Sequence, residues 1–387
     1  MTGPPSDPTV AAVSLLVIGA GPYGVAIAAH ARARGLDTAI VGRPMRLWRE
    51  HMPPGMFLRS GPDWHLDAGG VHTFEAYLGT RGLAAAAVDP VPLDVFLGYT
   101  DWFIAATGLG IRDDIVTRLR RGGGRFVADL ASGGRIVADR VVAATGIAPF
   151  QRRPAWAGGL PAAVVTHTCD LIDFAPLAGT RVLIVGGRQS AYEWAALAAD
   201  HGAAAVHVVH RHPTPRFEKV SWRFVDAYVE QSIAERGWWR RLPAAEQQAI
   251  GRRFWEVGRL TLEPWLPARL PASRVESHPD AEVVSATAAG EGVSVRLSTG
   301  RRLDVDRVVL ATGYAPQLAK LDYLAPLVGD VAQADGFPVL DEGFQSSVPG
   351  LYFTGFAATR DFGPFFGFTK GCPAAATILV RELIGAA

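Results

Sequence analysis

The sequence predicts an α/β fold of two tandem βαβ units, because one pattern of strand, glycine loop and helix occurs twice at a fixed interval. Residues 13–24 recur in outline at residues 180–191, which pairs Gly19 with Gly186. Residues 138–149 and 305–316 share an Asp-Arg-Val-Val strand followed by Ala-Thr-Gly, which pairs Thr145 with Thr312 at the same offset. Two independent pairs with one offset indicate a single supersecondary unit used twice.

Length and composition limit the class of protein. The 387 residues suffice for two to three domains of about 150 residues each. Hydrophobic residues at 49% and charged residues at 19% support a buried core and exclude extended disorder. The net charge of +1 argues against non-specific binding of nucleic acid. The two cysteines, Cys169 and Cys372, form no CxxC motif, which excludes a disulfide framework and fits a reducing cytoplasm.

Each unit has the element order of a parallel βαβ sheet. In the first unit a glycine loop follows an apolar strand, an Ala-rich helix over 25–34 is closed by Gly35, and a second strand follows at 38–41. The second unit repeats this order, with its second strand at 206–209. Each unit then ends in a hairpin, over 124–136 and 282–303. The pattern therefore predicts two Rossmann-like domains.

Residues 213–274 form an insertion in the second unit without a counterpart in the first. A helix-like pattern there holds five of the ten tryptophans, which are Trp222, Trp238, Trp239, Trp255 and Trp265. Amphipathic spacing is foremost a packing signal, so one interpretation is a helical cap with its own aromatic core. The other interpretations are a roof over a substrate pocket and the face of a homodimer.

Residues 8–31 contain no Asp, Glu, Lys or Arg and could be mistaken for a membrane segment. Glycines and Pro22 interrupt the apolar run, and no basic start or small-residue cleavage site accompanies it. We therefore expect neither a signal peptide nor a membrane anchor.

The first glycine loop, Gly19-x-Gly21-x-x-Gly24, follows a strand and opens a helix, which is the context of a dinucleotide-binding fingerprint. Gly19 permits a tight turn, Gly21 lets a diphosphate approach the backbone, and Gly24 lets the helix pack on the strand. The helix N-terminus stabilises the diphosphate charge. The acidic residue expected about 20 residues later is missing, because the next strand ends in Gly42-Arg43.

In the second glycine loop, Arg188 stands at the position of the second glycine. Its guanidinium either pairs with phosphate oxygens or fills the site and prevents binding. We favour pairing, because a planar group with five donors suits phosphate. Arg211 follows the second strand with no carboxylate beside it, which favours NADP over NAD unless Arg211 is only a solvated charge at a strand end.

Metal-binding and hydrolase patterns are weak. His207, His210 and His212 are close in sequence, but residues 207 and 210 of a strand point to opposite faces, so we predict no metal site. The sequence contains no Gly-x-Ser-x-Gly motif, which removes the obvious hydrolase interpretation.

These motifs resemble those of flavoproteins with two dinucleotide-binding domains, and among them the flavin-containing and N-hydroxylating monooxygenases. Residues 19–24 resemble their FAD fingerprint, residues 186–191 their NADPH fingerprint, and residues 48–60 their flavin-cradling loop. Asp306-x-x-x-Leu-Ala-Thr-Gly-Tyr314 is similar to a motif of the N-hydroxylating branch. The resemblance implies an FAD-binding domain over 1–150 and 319–387 and an NADPH-binding domain over 151–318, which includes the insertion.

The resemblance also implies which residues contact the two cofactors. FAD is expected at Gly19, Gly21, Pro22, Tyr23, Gly24, Arg43, Trp48, Met56, Leu58, Thr145, Gly146, Gly355, Phe356 and Thr369. NADPH is expected at Gly186, Arg188, Gln189, Ser190, Arg211, Thr312 and Gly313.

The sequence also departs from the family's patterns. Pro161 and Ala163 replace the Phe and Gly of a motif that would end at His167 in Baeyer–Villiger and flavin-containing members, so assignment to that branch fails. The loop over 60–65 lacks the asparagine that flavin-containing members place near the reactive oxygen, so the details of oxygenation stay open.

Arg59 and His65 lie in the expected flavin loop and are candidate catalytic residues, for proton transfer or for binding an anionic group. Trp64, Phe365 and Phe366 are candidate substrate contacts. Ordinary packing is the alternative for Arg59, His65 and the two phenylalanines.

Residues 350–355 predict a buried strand, and a helix that starts near Pro373 would point at the flavin in this family.

The resemblance implies a cytoplasmic monooxygenase that uses FAD and NADPH to transfer one oxygen atom of O2 to a small metabolite, with nitrogen the favoured acceptor. The alternatives are a flavin reductase or diaphorase that does not oxygenate and a flavoprotein whose NADPH site Arg188 blocks. Nucleic-acid and membrane partners are not expected. The substrate and the oligomeric state, including a homodimer, stay open.

Overall fold

The computed structural model describes residues 10–385. Its strands are β1 (Val10–Ile18), β2 (Thr38–Val41), β3 (Phe57–Leu58), β4 (Val91–Pro92), β5 (Ile111–Arg112), β6 (Val116–Gly122), β7 (Arg125–Leu130), β8 (Arg135–Ala143), β9 (Val165–His167), β10 (Arg181–Val185), β11 (Ala205–Val209), β12 (Arg216–Phe217), β13 (Thr261–Leu262), β14 (Val275–His278), β15 (Val283–Ala289), β16 (Gly292–Leu297), β17 (Arg302–Val305), β18 (Arg307–Leu310), β19 (Gln333–Ala334), β20 (Phe337–Pro338) and β21 (Leu351–Phe353). Its helices are α1 (Pro22–Ala33), α2 (Arg46–Glu50), α3 (Phe74–Thr80), α4 (Leu93–Ala106), α5 (Gln189–Asp200), α6 (Asp226–Ala234), α7 (Trp238–Arg241), α8 (Ala244–Gly258), α9 (Thr359–Phe362) and α10 (Cys372–Gly385).

The first sheet has the strand order β5-β2-β1-β8-β7-β6. Strand β1 pairs in parallel with both β2 and β8. Strand β8 has two partners on its other side: its first residues pair with β7 in antiparallel fashion, and its last three pair in parallel with β21. Because β21 pairs with the end of β8, the C-terminal part of the chain lies next to the loop that follows β1.

The second sheet is parallel throughout, in the order β14-β11-β10-β18-β9, and a three-stranded antiparallel sheet of β15, β16 and β17 accompanies it. Both predicted hairpins are present, as β7 with β8 and as the β15 to β17 meander. The predicted fold of two Rossmann-like α/β domains is confirmed.

The sequence repeat is also a structural repeat. Strands β1 and β10, which lead into the two glycine loops, end at Ile18 and Val185. Strands β8 and β18, which lead into the two Ala-Thr-Gly segments, end at Ala143 and Leu310. Both pairs of strand ends therefore keep the offset that pairs Gly19 with Gly186.

The first glycine of each loop packs against the carbonyl group that follows the neighbouring strand. Gly19 has φ +107°, and a Cβ there would lie 2.3 Å from the carbonyl oxygen of Ala144. Gly186 has φ +143°, and its Cβ would lie 2.4 Å from the carbonyl oxygen of Ala311. Only glycine combines this backbone conformation with so close an approach. Each loop is therefore held directly on the end of the central strand pair.

The insertion belongs to the second domain by sequence but packs into the first. Buried side chains of α6 to α8 and of the turn before them join the same hydrophobic core as β1, β8 and α10. Trp222 and Phe254 flank Phe368, with ring centroids 5.8 and 5.3 Å apart. The insertion therefore has no separate core, because its aromatic side chains pack on the C-terminal segment as well as on one another.

The two connections between the domains run side by side. The amide of Arg152 donates to the carbonyl of Gly313 at 2.9 Å, and the amide of Ala315 donates to the carbonyl of Phe150 at 2.9 Å. The Ala-Thr-Gly segments predicted from the sequence thus lie where the chain leaves each parallel sheet. Within residues 10–385, no helix is both long and apolar enough to cross a bilayer.

A buried carboxyl lies on α5. The side-chain amide of Gln189 donates to Glu193 at 2.9 Å, and its oxygen accepts from the amide of Glu263 at 3.0 Å. Burial raises the pKa of Glu193 from 4.5 to about 7. Burial therefore favours the protonated form of the Glu193 carboxyl over the charged form.

Two glycines of the first loop give a stability test. A Cβ at Gly24 would lie 1.8 Å from the carbonyl oxygen of Gly19, whereas a Cβ at Gly21 would meet nothing within 4 Å. We expect Gly24→Ala to lower the free energy of unfolding by about 2–3 kcal/mol through overpacking. Gly21→Ala should lower it by less than about 1 kcal/mol, the cost of alanine at a helix N-cap. Urea unfolding measures both, and equal effects would contradict the described packing.

The pH dependence of stability tests the buried carboxyl. Because the folded pKa of Glu193 is about 7 and the unfolded one is near 4.5, its contribution to stability is lost as pH rises between these values. We expect Glu193→Gln to raise the free energy of unfolding by roughly 2–3 kcal/mol at pH 8 and by little at pH 4.5. Urea unfolding at both values checks this, with the exposed Glu246→Gln on α8 as the control. A gain that is equal at both pH values would refute it.

Candidate functional site

The N-terminus of α1 is open to a ligand. Gly21 caps this helix without a side-chain hydrogen bond, and the first turn holds no acidic residue. Since no atom of residues 10–385 beyond its chain neighbours lies within 4 Å of a Cβ at Gly21, the packing of this part of the chain does not require a glycine there. Free amide groups at a helix N-terminus beneath open space form a cradle that a diphosphate fits.

The second loop reaches a similar geometry by exchanging small and large residues. Helix α5 is also uncapped, with Arg188 at its N-cap and no acid in its first turn. In the first unit Ala20 faces Gly42 at the end of β2, and in the second Gly187 faces His210 just after β11. A Cβ at Gly187 would lie 2.3 Å from the His210 ring. In the first unit the glycine is at the strand end, and in the second unit it is in the loop.

His210 fixes the end of β11. One ring nitrogen lies 2.9 Å from the Tyr192 hydroxyl, and the other lies 2.7 Å from the carbonyl oxygen of His212. The sequence singles out His210 only as one of three neighbouring histidines and does not predict this role. The signal that could have found it is the glycine at position 187, which makes room for a ring.

The side chain of Arg188 turns toward the insertion. Its guanidinium lies over the indole ring of Trp255 on α8, 3.5 Å from the centroid, in a cation–π contact. Burial, with Arg259 and Arg211 nearby, lowers the pKa of Arg188 to about 9. A stacked guanidinium still has in-plane donors free, so this position suits the pairing of Arg188 with phosphate better than the blocking of the site.

One cavity of about 530 Å³ connects the two domains. From the second domain it is lined by both fingerprint residues and cations, among them Gly186, Arg188, Ser190, Arg211 and Arg259. Within residues 10–385, none of these three arginines has an ion-pair partner. Burial lowers the pKa of Arg259 to about 10. An uncompensated cluster of cations in a cavity favours an anionic ligand.

The first domain closes the other side of this cavity with apolar side chains. Met52, Met56, Phe356 and Phe368 line it. Thr312 and Gly313 line it where the chain returns to the first domain. A ligand bound across the cavity would thus have a polar end at the second domain and an apolar end at the first.

Tyr23 joins the first loop to the C-terminal segment. Its hydroxyl donates to the carbonyl of Phe368 at 2.8 Å and contacts the carbonyl of Phe366. A Cβ at Gly355, which has φ +67°, would lie 3.3 Å from the Tyr23 ring. The predicted FAD contacts Tyr23 and Gly355 therefore lie together, although Tyr23 uses its hydroxyl within the protein.

The other residues predicted to bind FAD occupy varied positions. Pro22 is the first residue of α1, and Thr145 and Gly146 directly follow β8. Arg43 pairs with Glu50 at 3.2 Å, and the ring of Trp48 packs on Phe96 with centroids 4.7 Å apart. Leu58 is buried in β3, and the Thr369 hydroxyl lies 3.3 Å from that of Ser60.

The side chain of Gln189, a predicted NADPH contact, is engaged within the protein, and its contact with NADPH stays a prediction. The residue is buried, and its amide group is held by Glu193 and by the backbone of Glu263. Only its backbone, in the first turn of α5, remains free for a ligand.

Arg59, a predicted catalytic residue, is held by groups of the protein. Its guanidinium donates to the Glu263 carboxylate at 3.0 Å, to the carbonyl of Gly258 at 2.7 Å and to the Thr261 hydroxyl at 3.2 Å. It lies 5.7 Å from the ring centroid of Trp222. These contacts join the predicted flavin loop to the insertion, and the catalytic role of Arg59 stays a prediction.

His65 and Trp64 remain open to a ligand. His65 lies between two cavities, one of about 20 Å³ and one of about 850 Å³, and Trp64 lines the smaller. The buried ring atoms His65 Nδ1 and Trp64 Nε1 lack a hydrogen-bond partner within residues 10–385. Burial lowers the pKa of His65, so this imidazole is neutral near pH 7. A neutral histidine with an unpaired nitrogen is able to accept or donate a proton.

Phe365 and Phe366, the predicted substrate contacts, are packed in the hydrophobic core, and their contact with a substrate stays a prediction. Their exposed fractions are 1% and 0%. Phe365 packs on Tyr228, with centroids 6.0 Å apart, and Phe366 packs on Phe362 at 5.5 Å. The insertion covers this aromatic loop.

Trp255 and Arg259 are site residues that sequence reasoning missed. Both line the neighbouring cavity of about 350 Å³ as well as contributing to the cation-rich region around Arg188. Their spacing of four residues on an amphipathic helix places them on one face. That spacing alone does not indicate which domain the face meets.

Comparisons with known proteins agree with this architecture. The model of the pyridine nucleotide-disulphide oxidoreductase family matches residues 13–257 and 250–364. An FAD-dependent urate hydroxylase from Xanthomonas campestris pv. campestris is 28% identical over 347 residues, which cover 80% of this chain and 71% of that protein. A ferredoxin–NADP reductase from Nocardioides sp. is 34% identical over 208 residues, 51% of this chain and 54% of that protein.

Among solved structures, an ornithine N-hydroxylase from Kutzneria sp. 744 superimposes with a TM-score of 0.80 at 19% sequence identity, covering 97% of this chain and 99% of that one. This likeness establishes a common fold of two dinucleotide-binding domains. The family model extends over both glycine loops and most of both sheets. The chain belongs to the pyridine nucleotide-disulphide oxidoreductase family.

Proposed function

We propose that this oxidoreductase is a monooxygenase that uses FAD and NADPH to transfer one oxygen atom of O2 to a small metabolite. The observation that carries the proposal is that both fingerprint helices, α1 and α5, begin without caps, and that α5 begins at a cavity whose arginines have no anionic partner in the described chain. Two dinucleotides are the ligands that such a pair of helix N-termini suits.

The first loop would hold FAD. Gly19 and Gly24 set the turn, the amide groups at the start of α1 face the diphosphate, and Met52, Met56 and Phe356 provide an apolar wall for the ring system. When bound, FAD supplies the redox chemistry, since it accepts a hydride from NADPH and reacts with O2. The protein's own part is to hold this ring system and to keep water away from it.

The second loop and the arginines would hold NADPH. Arg211, which follows β11 and lines the cavity, would contact a 2′-phosphate, and Arg188 at the N-cap of α5 would contact the diphosphate. Arg259 adds a third positive charge from the insertion.

His65 is the candidate for proton transfer, because its Nδ1 lacks a partner within the described residues.

The relatives support two kinds of activity. The urate hydroxylase and the ornithine N-hydroxylase are both hydroxylases, which favours oxygenation. The ferredoxin–NADP reductase favours the second candidate, an electron-transfer reductase that does not oxygenate. Nitrogen as the acceptor, a cytoplasmic location and a homodimer stay predictions.

Reduction and oxygenation can be tested on the same protein. Under anaerobic conditions NADPH should bleach the flavin absorbance. In air, amines, amino acids and purines are then screened for NADPH oxidation, and mass spectrometry should find one product with a gain of one oxygen atom. Bleaching without any oxygenated product, together with reduction of ferredoxin or a quinone, would support the reductase. A flavin that stays oxidised would contradict both candidates.

Arg188 tests how NADPH is bound. Arg188→Gln keeps a planar group near Trp255 but removes the charge. We expect the Kd for NADPH to rise about 10- to 100-fold, the loss of one charge-assisted phosphate contact. Stopped-flow reduction as a function of NADPH concentration measures this, with Arg252→Gln on the exposed side of α8 as the control. Unchanged or tighter NADPH binding in Arg188→Gln would refute phosphate pairing.

A further inference from the structure

Two neighbouring strands bring a pair of histidines and a glutamate together at the edge of the second sheet. We propose that His207, Glu276 and His278 form a binding site for a divalent transition-metal ion, with Zn²⁺ the ion that their geometry and chemistry fit best. The site is separate from the nucleotide cavity, and its existence does not depend on the proposed function.

The strand register creates the cluster. Strands β11 and β14 are parallel neighbours, with His207 beside Glu276 and Val209 beside His278. Because side chains two residues apart on a strand share a face, Glu276 and His278 point to the same side, and the register places His207 there too. His210 points to the opposite face, as the sequence predicted. The partners of His207 are thus on the next strand and not among the nearby histidines.

The distances fit tetrahedral coordination. His207 Nδ1 lies 3.1 Å from His278 Nε2 and 3.3 Å from Glu276 Oε2, and His278 Nε2 lies 3.8 Å from the same carboxylate oxygen. Zinc bonds of 2.0–2.2 Å to imidazole and carboxylate give ligand–ligand separations of about 3.3–3.5 Å. One ion between the three atoms therefore needs shifts of only a few tenths of an ångström.

Burial leaves the site one open side. The side chains of His207 and His278 are 17% and 7% exposed, and that of Glu276 is 47% exposed. A histidine ring binds a metal ion through an unprotonated nitrogen, and both rings present one toward Glu276 Oε2. The exposed side leaves a fourth position for water.

Arg301 is the charged neighbour that has to be considered. It donates to Glu276 Oε1 at 2.6 Å and to Oε2 at 3.0 Å. Its charge lowers the affinity for a cation, but it also fixes the carboxylate so that Oε2 faces the two histidines. A hydrogen bond between the histidine rings is the simpler alternative for the 3.1 Å contact, and metal titration separates the two.

A bound ion would join β14, the edge strand, to β11. Strand β11 leads directly to His210 and Arg211 at the nucleotide cavity. Because a metal that binds only the folded state stabilises it, zinc would strengthen the outer half of this sheet.

The experiment uses the full chain without a polyhistidine tag, treated with a chelator and then gel-filtered. Titration with ZnSO4 in a calorimeter should reveal one equivalent that His207→Gln and His278→Gln each lose or bind at least tenfold more weakly. His201→Gln, on the far end of α5, is the matched control and should keep it. Zinc in excess should raise the unfolding midpoint of the unaltered chain by about 2–4 °C and not that of His207→Gln.

A third variant guards against misfolding. Glu276→Gln changes an exposed side chain, and we expect it to keep the circular dichroism spectrum of the unaltered chain while binding zinc at least tenfold more weakly. The proposal is overturned if the unaltered chain binds no zinc, or if the equivalent persists with the same affinity in the His207 and His278 variants.

Discussion

The contact on which the rest of the molecule depends is the approach of each glycine loop to a carbonyl group at the end of the adjacent strand. The carbonyl oxygens of Ala144 and Ala311 lie where Gly19 and Gly186 would carry a Cβ. That contact fixes where α1 and α5 begin relative to their sheets. Both helices then start at the carboxyl end of a parallel sheet, without caps, which is where open α/β folds bind ligands.

The insertion completes the site by charge as well as by shape. Its core residues pack on the first domain, while Arg259 lines the same cavity as Arg188 and Trp255 stacks on the Arg188 guanidinium. Burial keeps the pKa of Arg188 near 9 and that of Arg259 near 10, which means that these cations are held away from water with no ion-pair partner in the described chain. A ligand that carries phosphate would offset the unfavourable burial of these charges, and the cavity therefore favours a nucleotide.

The sequence predicted what depends on local pattern and repeats. The two sheets, the glycine turns and the hairpins follow from period, spacing and the constant offset between the two units. The sequence did not predict the partners of side chains whose contacts are distant in the chain. Residues of the insertion hold both Arg59 and Gln189. Glycine spacing predicts the backbone conformation of the loops. It does not predict which residues of the insertion a side chain contacts in the folded protein.

The most direct test of the account is the absorbance spectrum of the purified chain, with analysis of the nucleotide released on denaturation. We predict a yellow protein with one FAD released per chain. If the protein is colourless, releases no flavin and takes up none when FAD is added, then the first glycine loop does not bind the cofactor, and the proposed chemistry is contradicted.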